Sequence, residues 1–144
     1  MRIGELARRA DVDVHTIRYY EREGLLAAPA REPSGYRSYR PEHLEQLKFV
    51  RHCRSLDMPL EEIRRVLSLS RSPAVSCESV DTLIEVQLQR VRAQRAVLDQ
   101  LEKQLGQLRA QCQKGHQVAD CGILRELMHA AHGEPCACHG TVPA

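Results

Sequence analysis

The residues best suited to carry out chemistry are three of the six cysteines in this chain of 144 residues: Cys77, Cys112 and Cys121. Thiolates are soft ligands that favour Cd(II), Pb(II), Hg(II), Zn(II) or Cu(I) over hard ions, and three negative ligands suit a divalent ion best. His116, four residues after Cys112 and beside Gly115, is a candidate fourth ligand that would complete a tetrahedral site. The spacing predicts a site for a soft divalent ion. The alternatives are small buried thiols and a solvent-exposed loop histidine.

A long predicted helix separates Cys77 from Cys112. Residues 79–111 contain no proline and one glycine, and apolar or amide side chains recur there in alternating steps of three and four, as in a coiled-coil seam. At about 1.5 Å per residue, this helix holds the two cysteines of one chain roughly 50 Å apart, so they cannot share an ion within it. The seam positions are Ile84, Gln87, Val91, Gln94, Leu98, Leu101, Leu105 and Leu108.

A second copy of the chain is the expected partner for this seam, because no other segment is long enough to pack along it. If the two long helices of a homodimer pair antiparallel, the start of one lies beside the end of the other. Cys77 of one subunit then meets Cys112 and Cys121 of its partner, and the dimer forms two equivalent three-thiolate sites. Cys121 is predicted to open a short helix, whose exposed N–H groups favour a negatively charged ligand.

The N-terminal residues predict a helix-turn-helix. Apolar residues at helical spacing over 3–10 are followed by a polar break. A second helix, Val14 to Glu23, turns Ile17 inward and stops at Gly24. Two short helices joined by a tight turn are typical of DNA-binding proteins, in which the second is the recognition helix.

Residues 29–40 combine two prolines and a glycine with the sequence GYRSYR, which predicts a small β-hairpin, or wing, with a basic and aromatic exposed side. Pro41 then lies where a first helical residue often does, and an apolar stripe that includes Cys53 and extends to Leu56 follows it. We expect Cys53 to be a buried structural thiol rather than a ligand. The Met-Pro pair at 58–59 ends this helix, and another follows.

Composition favours a mainly all-α chain. One Phe, four Tyr and no Trp leave little aromatic mass for a large globular core, and the formal net charge is only +2. We find no signal peptide or membrane-spanning stretch, so we expect a cytoplasmic protein whose cysteines serve metal or redox chemistry rather than disulfides. No nucleophile, base and orienting residue occur at recognisable spacing, which argues against an enzyme.

Three segments together resemble the MerR family of winged-helix regulators: IGELARRADVDVHTIRYYEREGLL, the wing sequence GYRSYR, and LKFVRHCRSLDMPLEEIR. The resemblance implies a homodimer with antiparallel long helices, bound to double-stranded promoter DNA that has an over-long spacer. Metal binding would distort and untwist the DNA so that RNA polymerase aligns with both promoter elements, a two-state switch that activates metal-resistance or efflux genes. The implied DNA contacts, mostly with phosphates, are Arg18, Tyr19, Tyr20, Arg31, Tyr36, Arg37 and Arg54.

Within the family, Cys77 is similar to the residue that marks sensors of divalent ions, where copper(I) sensors carry Ser. The sequences SLDMPL and CGIL resemble the lead and cadmium sensors called PbrR and CadR, which implies Cd(II) or Pb(II) as the effector. His116, by its spacing from Cys112, instead resembles the zinc sensors called ZntR, so a Zn(II)-responsive activator is the alternative. Those sensors carry an additional Cys where this chain has Gln111, which argues against a dinuclear zinc site.

The C-terminal tail holds a second group of candidate ligands, although a flexible tail without metal is the default interpretation. The alternatives from other function classes are a metal-buffering protein and a redox or iron–sulfur sensor. An iron–sulfur sensor requires four closely clustered cysteines. We expect a winged helix-turn-helix DNA-binding domain at 1–70, a linker and dimerisation helix at 71–111, a metal-binding loop and short helix at 112–131, and a flexible tail at 132–144. The candidate auxiliary ligands are His129, His132, Cys136, Cys138 and His139.

Overall fold

The structure, a computed structural model, describes residues 1–112 and 117–133. Within these ranges the chain is mainly helical, as predicted, with one two-stranded sheet, and no helix is long and apolar enough to cross a membrane. The chain forms two compact units, the N-terminal unit Met1–Gln87 and a second unit that begins at Leu88. In chain order the elements are α1 (Ile3–Ala10), α2 (Val14–Arg22), β1 (Ala30–Arg31), β2 (Arg37–Ser38), α3 (Pro41–Ser55), α4 (Leu60–Ser70), α5 (Glu78–Ala110), a 3-10 turn (Val118–Asp120) and α6 (Gly122–Ala131).

Helices α1 and α2 form the predicted helix-turn-helix. Asp11 turns the chain after α1 with a left-handed φ of 53°. The Asp13 carboxylate caps α2 by accepting hydrogen bonds from the backbone N–H (2.7 Å) and the hydroxyl (2.8 Å) of Thr16. These bonds lower the pKa of Asp13. Ile17 is fully buried, as predicted, and Gly24 stops the helix with a φ of 74°.

The wing is the antiparallel hairpin β1–β2, whose register pairs Ala30 with Ser38. Tyr39 follows β2 and is only 2% exposed, and its hydroxyl donates a hydrogen bond of 2.5 Å to Oε1 of Glu21 on α2. Burial and the neighbouring carboxylate together raise the pKa of Tyr39. This hydrogen bond ties the base of the wing to the recognition helix.

Helix α3 contributes most of the predicted apolar stripe to the core. Leu47 and Val50 are fully buried, and Cys53 is confirmed as a buried thiol, whose pKa is raised by burial. Leu56 departs from the predicted stripe and is half exposed, because α3 ends one residue before it and Asp57 then turns the backbone with a φ of 62°. The buried core of the N-terminal unit consists of Leu6, Ala10, Ile17, Leu25, Leu26, Tyr39, Leu47, Val50, Cys53, Met58 and Ile63.

Helix α5 is continuous over 33 residues, which confirms the predicted long helix. The seam side chains between Val91 and Leu105 are exposed in the single chain. The side chains at two other seam positions contact other segments of the same chain. Gln87 is buried and bonded to the turn between α3 and α4, whereas Leu108 packs against Ile123 and Ala130 of α6. The coiled-coil pattern alone gave no indication of these two contacts.

Candidate nucleic-acid interface and metal ligands

A basic pocket of about 360 Å³ is lined by residues of α1, α2 and the wing. Arg18 reaches it from the recognition helix, while Arg31 and Arg37 reach it from the paired wing strands. Tyr36 contributes from the wing just before β2, and none of the residues that line the pocket is acidic. DNA backbone suits such a pocket, because arginines that neutralise phosphates also release condensed counterions. The structure therefore brings together four of the predicted DNA contacts.

Arg2 also lines this pocket, and the sequence analysis missed it. Its guanidinium lies 4.1 Å from the centre of the Tyr36 ring, in a cation–π arrangement, and 3.7 Å from the carboxylate of Glu32. Tyr36 is 59% exposed, so this contact helps to orient a ring that the core does not hold. Arg2 precedes the first helix and belongs to no periodic pattern, and nothing in the sequence alone marks it.

The predicted contacts on the recognition helix differ in exposure. Arg18 and Tyr19 are exposed, and the guanidinium of Arg22 lies 5.9 Å from the centre of the Tyr19 ring. Tyr20 is half-buried and packs against both groups of buried residues in the N-terminal unit. Tyr20 therefore supports the core, and its contact with DNA stays a prediction.

Arg54 is exposed near the end of α3, in keeping with its predicted contact with DNA. Its Nη1 donates a hydrogen bond of 2.8 Å to the carbonyl oxygen of Met58, across the turn between α3 and α4. One guanidinium nitrogen is thus fixed to the backbone of the turn. The conformation of this turn consequently sets where the Arg54 side chain points.

The three predicted thiolate ligands are free cysteines at the ends of helices. Cys77 is exposed and immediately precedes α5, where its carbonyl oxygen accepts the N–H of Asp81 (2.9 Å). Cys112 is exposed and follows the end of α5. Cys121 is half-buried and occupies the N-cap position of α6, as predicted.

A close backbone approach joins the segments that carry Cys112 and Cys121. Gly122, the first residue of α6, lies against Gln111, and a β-carbon at position 122 would collide with the Gln111 carbonyl oxygen. Gln111 precedes Cys112 and Gly122 follows Cys121, so the backbone segments that carry the two cysteines lie close together. Within residues 1–112 and 117–133, no three Cys, His, Asp or Glu side chains gather in a single chain.

The remaining candidate ligands are only partly covered by the structure. His129 lies in the last turn of α6 and His132 follows it, and both are exposed. The predicted auxiliary site that includes them stays a prediction, since its other members are not described. The candidate ligands that lie outside the described residues are His116, Cys136, Cys138 and His139.

Comparison with known families and proteins agrees with this architecture. Residues 1–70 match the MerR HTH family regulatory proteins, and residues 44–108 match the family described as MerR, DNA binding. The HTH-type transcriptional regulator ZntR of Escherichia coli (strain K12) is 37% identical over 139 residues, which cover 95% of this chain and 99% of that protein.

Two further relatives bind or are named for metals. The mercuric resistance operon regulatory protein of Bacillus cereus is 31% identical over 127 residues, which cover 88% of this chain and 96% of that protein. The crystal structure of the transcription regulator PbrR691 from Ralstonia metallidurans CH34 in complex with lead(II) matches with a TM-score of 0.77 and 43% identity, covering 88% of this chain and 98% of that one. The chain therefore belongs to the MerR family of helix-turn-helix transcription regulators, which are not enzymes.

Proposed function

We propose that this chain is a metal-responsive transcription regulator that binds promoter DNA as a homodimer and senses a soft divalent ion through Cys77, Cys112 and Cys121. The observation that carries the proposal is the placement of the free cysteines Cys77 and Cys112 at the two ends of one long helix. The free Cys121 caps the next helix, and the approach of Gly122 to Gln111 brings its backbone segment close to that of Cys112. Free thiols at exposed or half-buried positions are available to metal ions, unlike the buried Cys53.

The length and surface of α5 support the dimer. A helix of 33 residues is about 50 Å long at 1.5 Å per residue, far beyond the span of one coordination sphere. The apolar seam between Val91 and Leu105 is exposed in the single chain, and a second α5 would remove it from water. Antiparallel pairing would bring the partner's Cys77 to Cys112 and Cys121, which gives two complete sites per dimer.

The donor set supports a soft divalent ion. Three thiolates suit Cd(II), Pb(II) and Hg(II), and two relatives carry a lead(II) ion or a mercuric function in their descriptions. With His116 as a fourth, nitrogen ligand, the same site would suit Zn(II), so a zinc-responsive activator is the second candidate. We take the effector to be Cd(II) or Pb(II).

The switch would act on the shape of the DNA. The basic pocket holds the dimer on phosphates, and metal binding favours one of two dimer conformations. The bound promoter is then distorted, at a cost on the order of a few kcal/mol, so that RNA polymerase aligns with both promoter elements and transcribes metal-resistance or efflux genes. Affinity for the operator changes little, since the same phosphate contacts serve both states.

Substitution of single cysteines tests the ligand set. Cys→Ser at Cys77, Cys112 or Cys121 should abolish metal-induced transcription from a reporter promoter and leave operator affinity nearly unchanged. The matched control is Cys53→Ala, which alters a buried thiol and should preserve induction. Normal induction in all three serine variants would exclude the thiolate site. Induction by an oxidant without added metal would indicate a redox sensor, and metal binding without any change in transcription would indicate a buffering protein.

A mixed dimer tests whether each site is shared between subunits. One subunit carries Cys77→Ser and the other carries Cys112→Ser, so an intersubunit arrangement leaves one complete site, whereas either homodimer has none. Titration with Cd(II) should recover tight binding at one ion per mixed dimer. Absence of recovery would mean that the ligands come from a single chain.

A further inference from the structure

Gln87 is a buried amide in the first part of the dimerisation helix. It is 7% exposed, although it belongs to a seam whose central positions are exposed. Its Nε2 donates a hydrogen bond of 2.9 Å to the carbonyl oxygen of Leu56. A buried amide is costly unless it is hydrogen-bonded, so this contact fixes the relation between α5 and the turn more specifically than apolar packing does. Leu83, one helical turn earlier, is buried on the same face.

The acceptor lies in the turn that joins α3 to α4. Leu56 caps the end of α3, where the last carbonyl groups of a helix lack partners within the helix. Asp57 then adopts a left-handed conformation, and the N–H of Met58 returns to the carbonyl oxygen of Cys53 (3.2 Å). The turn is closed by its own hydrogen bonds, and Gln87 attaches it to α5.

Arg54 is bonded to the same turn. The carbonyl oxygen of Arg54 accepts the N–H of Asp57 (2.9 Å), and its side chain donates to the carbonyl oxygen of Met58 (2.8 Å). Gln87 and Arg54 therefore hold carbonyl groups two residues apart, Leu56 from the side of α5 and Met58 from the side of α3. A displacement of one carbonyl is passed through two peptide units to the other.

We propose that Gln87 is a positioning residue for Arg54: by holding the Leu56 carbonyl, it couples α5 to a guanidinium that is predicted to contact the DNA backbone. In metal-free protein it fixes the orientation of Arg54 on the operator. When α5 moves, the turn moves with it, and the contact of Arg54 with phosphate changes. This second step rests on the proposed function, because it takes α5 as the helix that responds to metal.

A double-mutant cycle on the metal-free protein tests the first step. Gln87→Met removes the hydrogen-bond donor but keeps the length of the side chain and a similar helix propensity. Its matched control is Gln94→Met, an identical change at another seam position. The DNA is an operator duplex selected from a random pool, and its affinity is measured as a function of salt concentration.

Gln87→Met should weaken operator affinity about fivefold and lower the slope of log affinity against log salt by about one, the loss expected for one phosphate contact. In an Arg54→Ala background it should have no further effect. Gln94→Met should behave as wild type. Gln87→Glu replaces the donor by a carboxylate that faces the Leu56 carbonyl, so it should also lower the operator affinity and the salt slope. This variant replaces Gln87→Met in the experiment if the methionine variant does not fold.

Three results would overturn the proposal: additive effects of Gln87→Met and Arg54→Ala, equal effects of the changes at Gln87 and Gln94, or an Arg54→Ala variant that binds as wild type. If Gln87 had only a structural role, Gln87→Met would lower the free energy of unfolding, but its effect on the salt slope would simply add to that of Arg54→Ala. The second step is measured separately as the ratio of metal-induced to basal transcription. This ratio should fall about tenfold in Gln87→Met, which corresponds to a loss of roughly 1.4 kcal/mol of coupling free energy. A wild-type chain that ignores every metal refutes the proposed function, whereas the cycle still decides the role of Gln87.

Discussion

The backbone of Gly122 lies directly against the carbonyl oxygen of Gln111, with no room between them for a side chain. These residues are the immediate chain neighbours of Cys121 and Cys112, so this contact brings together the backbone segments that carry two candidate metal ligands. Glycine is required here for space and not for an unusual φ.

Gly122→Ala should therefore weaken metal binding, by at least about tenfold, the loss typical when a residue that supports a ligand is changed. The new methyl group forces α6 away from Gln111 and moves the Cys121 thiol relative to Cys112. Competition with a chromophoric chelator measures the affinity for Cd(II). Gly106→Ala is the control, because a methyl group at this helical position would meet no atom within 4 Å apart from its chain neighbours and the backbone of its own helix. Equal affinity in both variants would mean that the loop tolerates the displacement.

Tyr39→Phe should loosen the wing. The change removes the hydroxyl that donates to Glu21, and the free energy of unfolding should fall by about 1 to 2 kcal/mol. Urea unfolding followed by circular dichroism measures the loss. Tyr36→Phe, at an exposed position of the same hairpin, should cost nothing measurable, and a similar loss in both variants would contradict the assignment to the Glu21 bond.

The same pair predicts a dependence on alkaline pH. Burial and Glu21 raise the pKa of Tyr39 in the folded state, so the folded chain retains its proton to higher pH than the unfolded chain. The stability that this adds is fully present below the unfolded tyrosine pKa of about 10 and is lost as pH rises through the folded pKa. Unfolding midpoints measured from neutral pH upwards should decline less steeply in Tyr39→Phe than in the wild type.

Arg2→Ala should weaken binding to operator DNA and lower the salt slope by about one, because one arginine of the basic pocket is lost and Tyr36 loses its cation–π partner. Arg2→Lys keeps the charge but not the planar stacking, so it should keep the slope and recover only part of the affinity. Fluorescence anisotropy over a range of salt concentrations distinguishes the two effects. Unchanged slopes in both variants would remove Arg2 from the interface.

His116→Ala should separate the responses to zinc and lead. Zn(II) prefers four-coordinate sites built from sulfur and nitrogen donors and would lose a ligand, although water partly substitutes. Pb(II) is commonly satisfied by three thiolates, so its response should barely change, with Cd(II) between the two. Dose–response curves of a reporter gene measure all three ions. Identical zinc curves in wild type and variant would identify a three-thiolate site, which favours the cadmium and lead assignment.

Much of the architecture followed from local patterns in the sequence. The two helices of the helix-turn-helix and the long helix were predicted within one residue of their observed limits, and the predicted wing segment, 29–40, contains both strands. Capping residues, turn residues and seam periodicity act over a few neighbours, which is why they could be recognised. Leu56 was assigned to the apolar stripe because periodicity does not show where α3 ends. The contact of Gln87 with Leu56 and that of Arg2 with Tyr36 were not predicted for a related reason, since each joins residues more than 30 positions apart in the chain.

For the proposed metal site, the sequence predicted the candidate ligands, and the structure added that the backbone segments beside two of them pack together. The spacing of Cys112 and Cys121 indicated a loop, but only the packed backbones explain why a glycine must follow Cys121. Cys53, by contrast, was assigned correctly from its position on an apolar face, because burial of a helix face is what periodicity reports well.

The unbroken course of α5 also has a geometric consequence for the proposed dimer. A tilt of about 5° at one end of a rod about 50 Å long displaces the other end by about 4 Å, by the geometry of a straight helix. Metal–ligand bonds tolerate deviations of only about 0.2 Å. In the proposed antiparallel dimer, each ion shared by the two subunits would therefore permit only a narrow range of crossing angles between the two long helices.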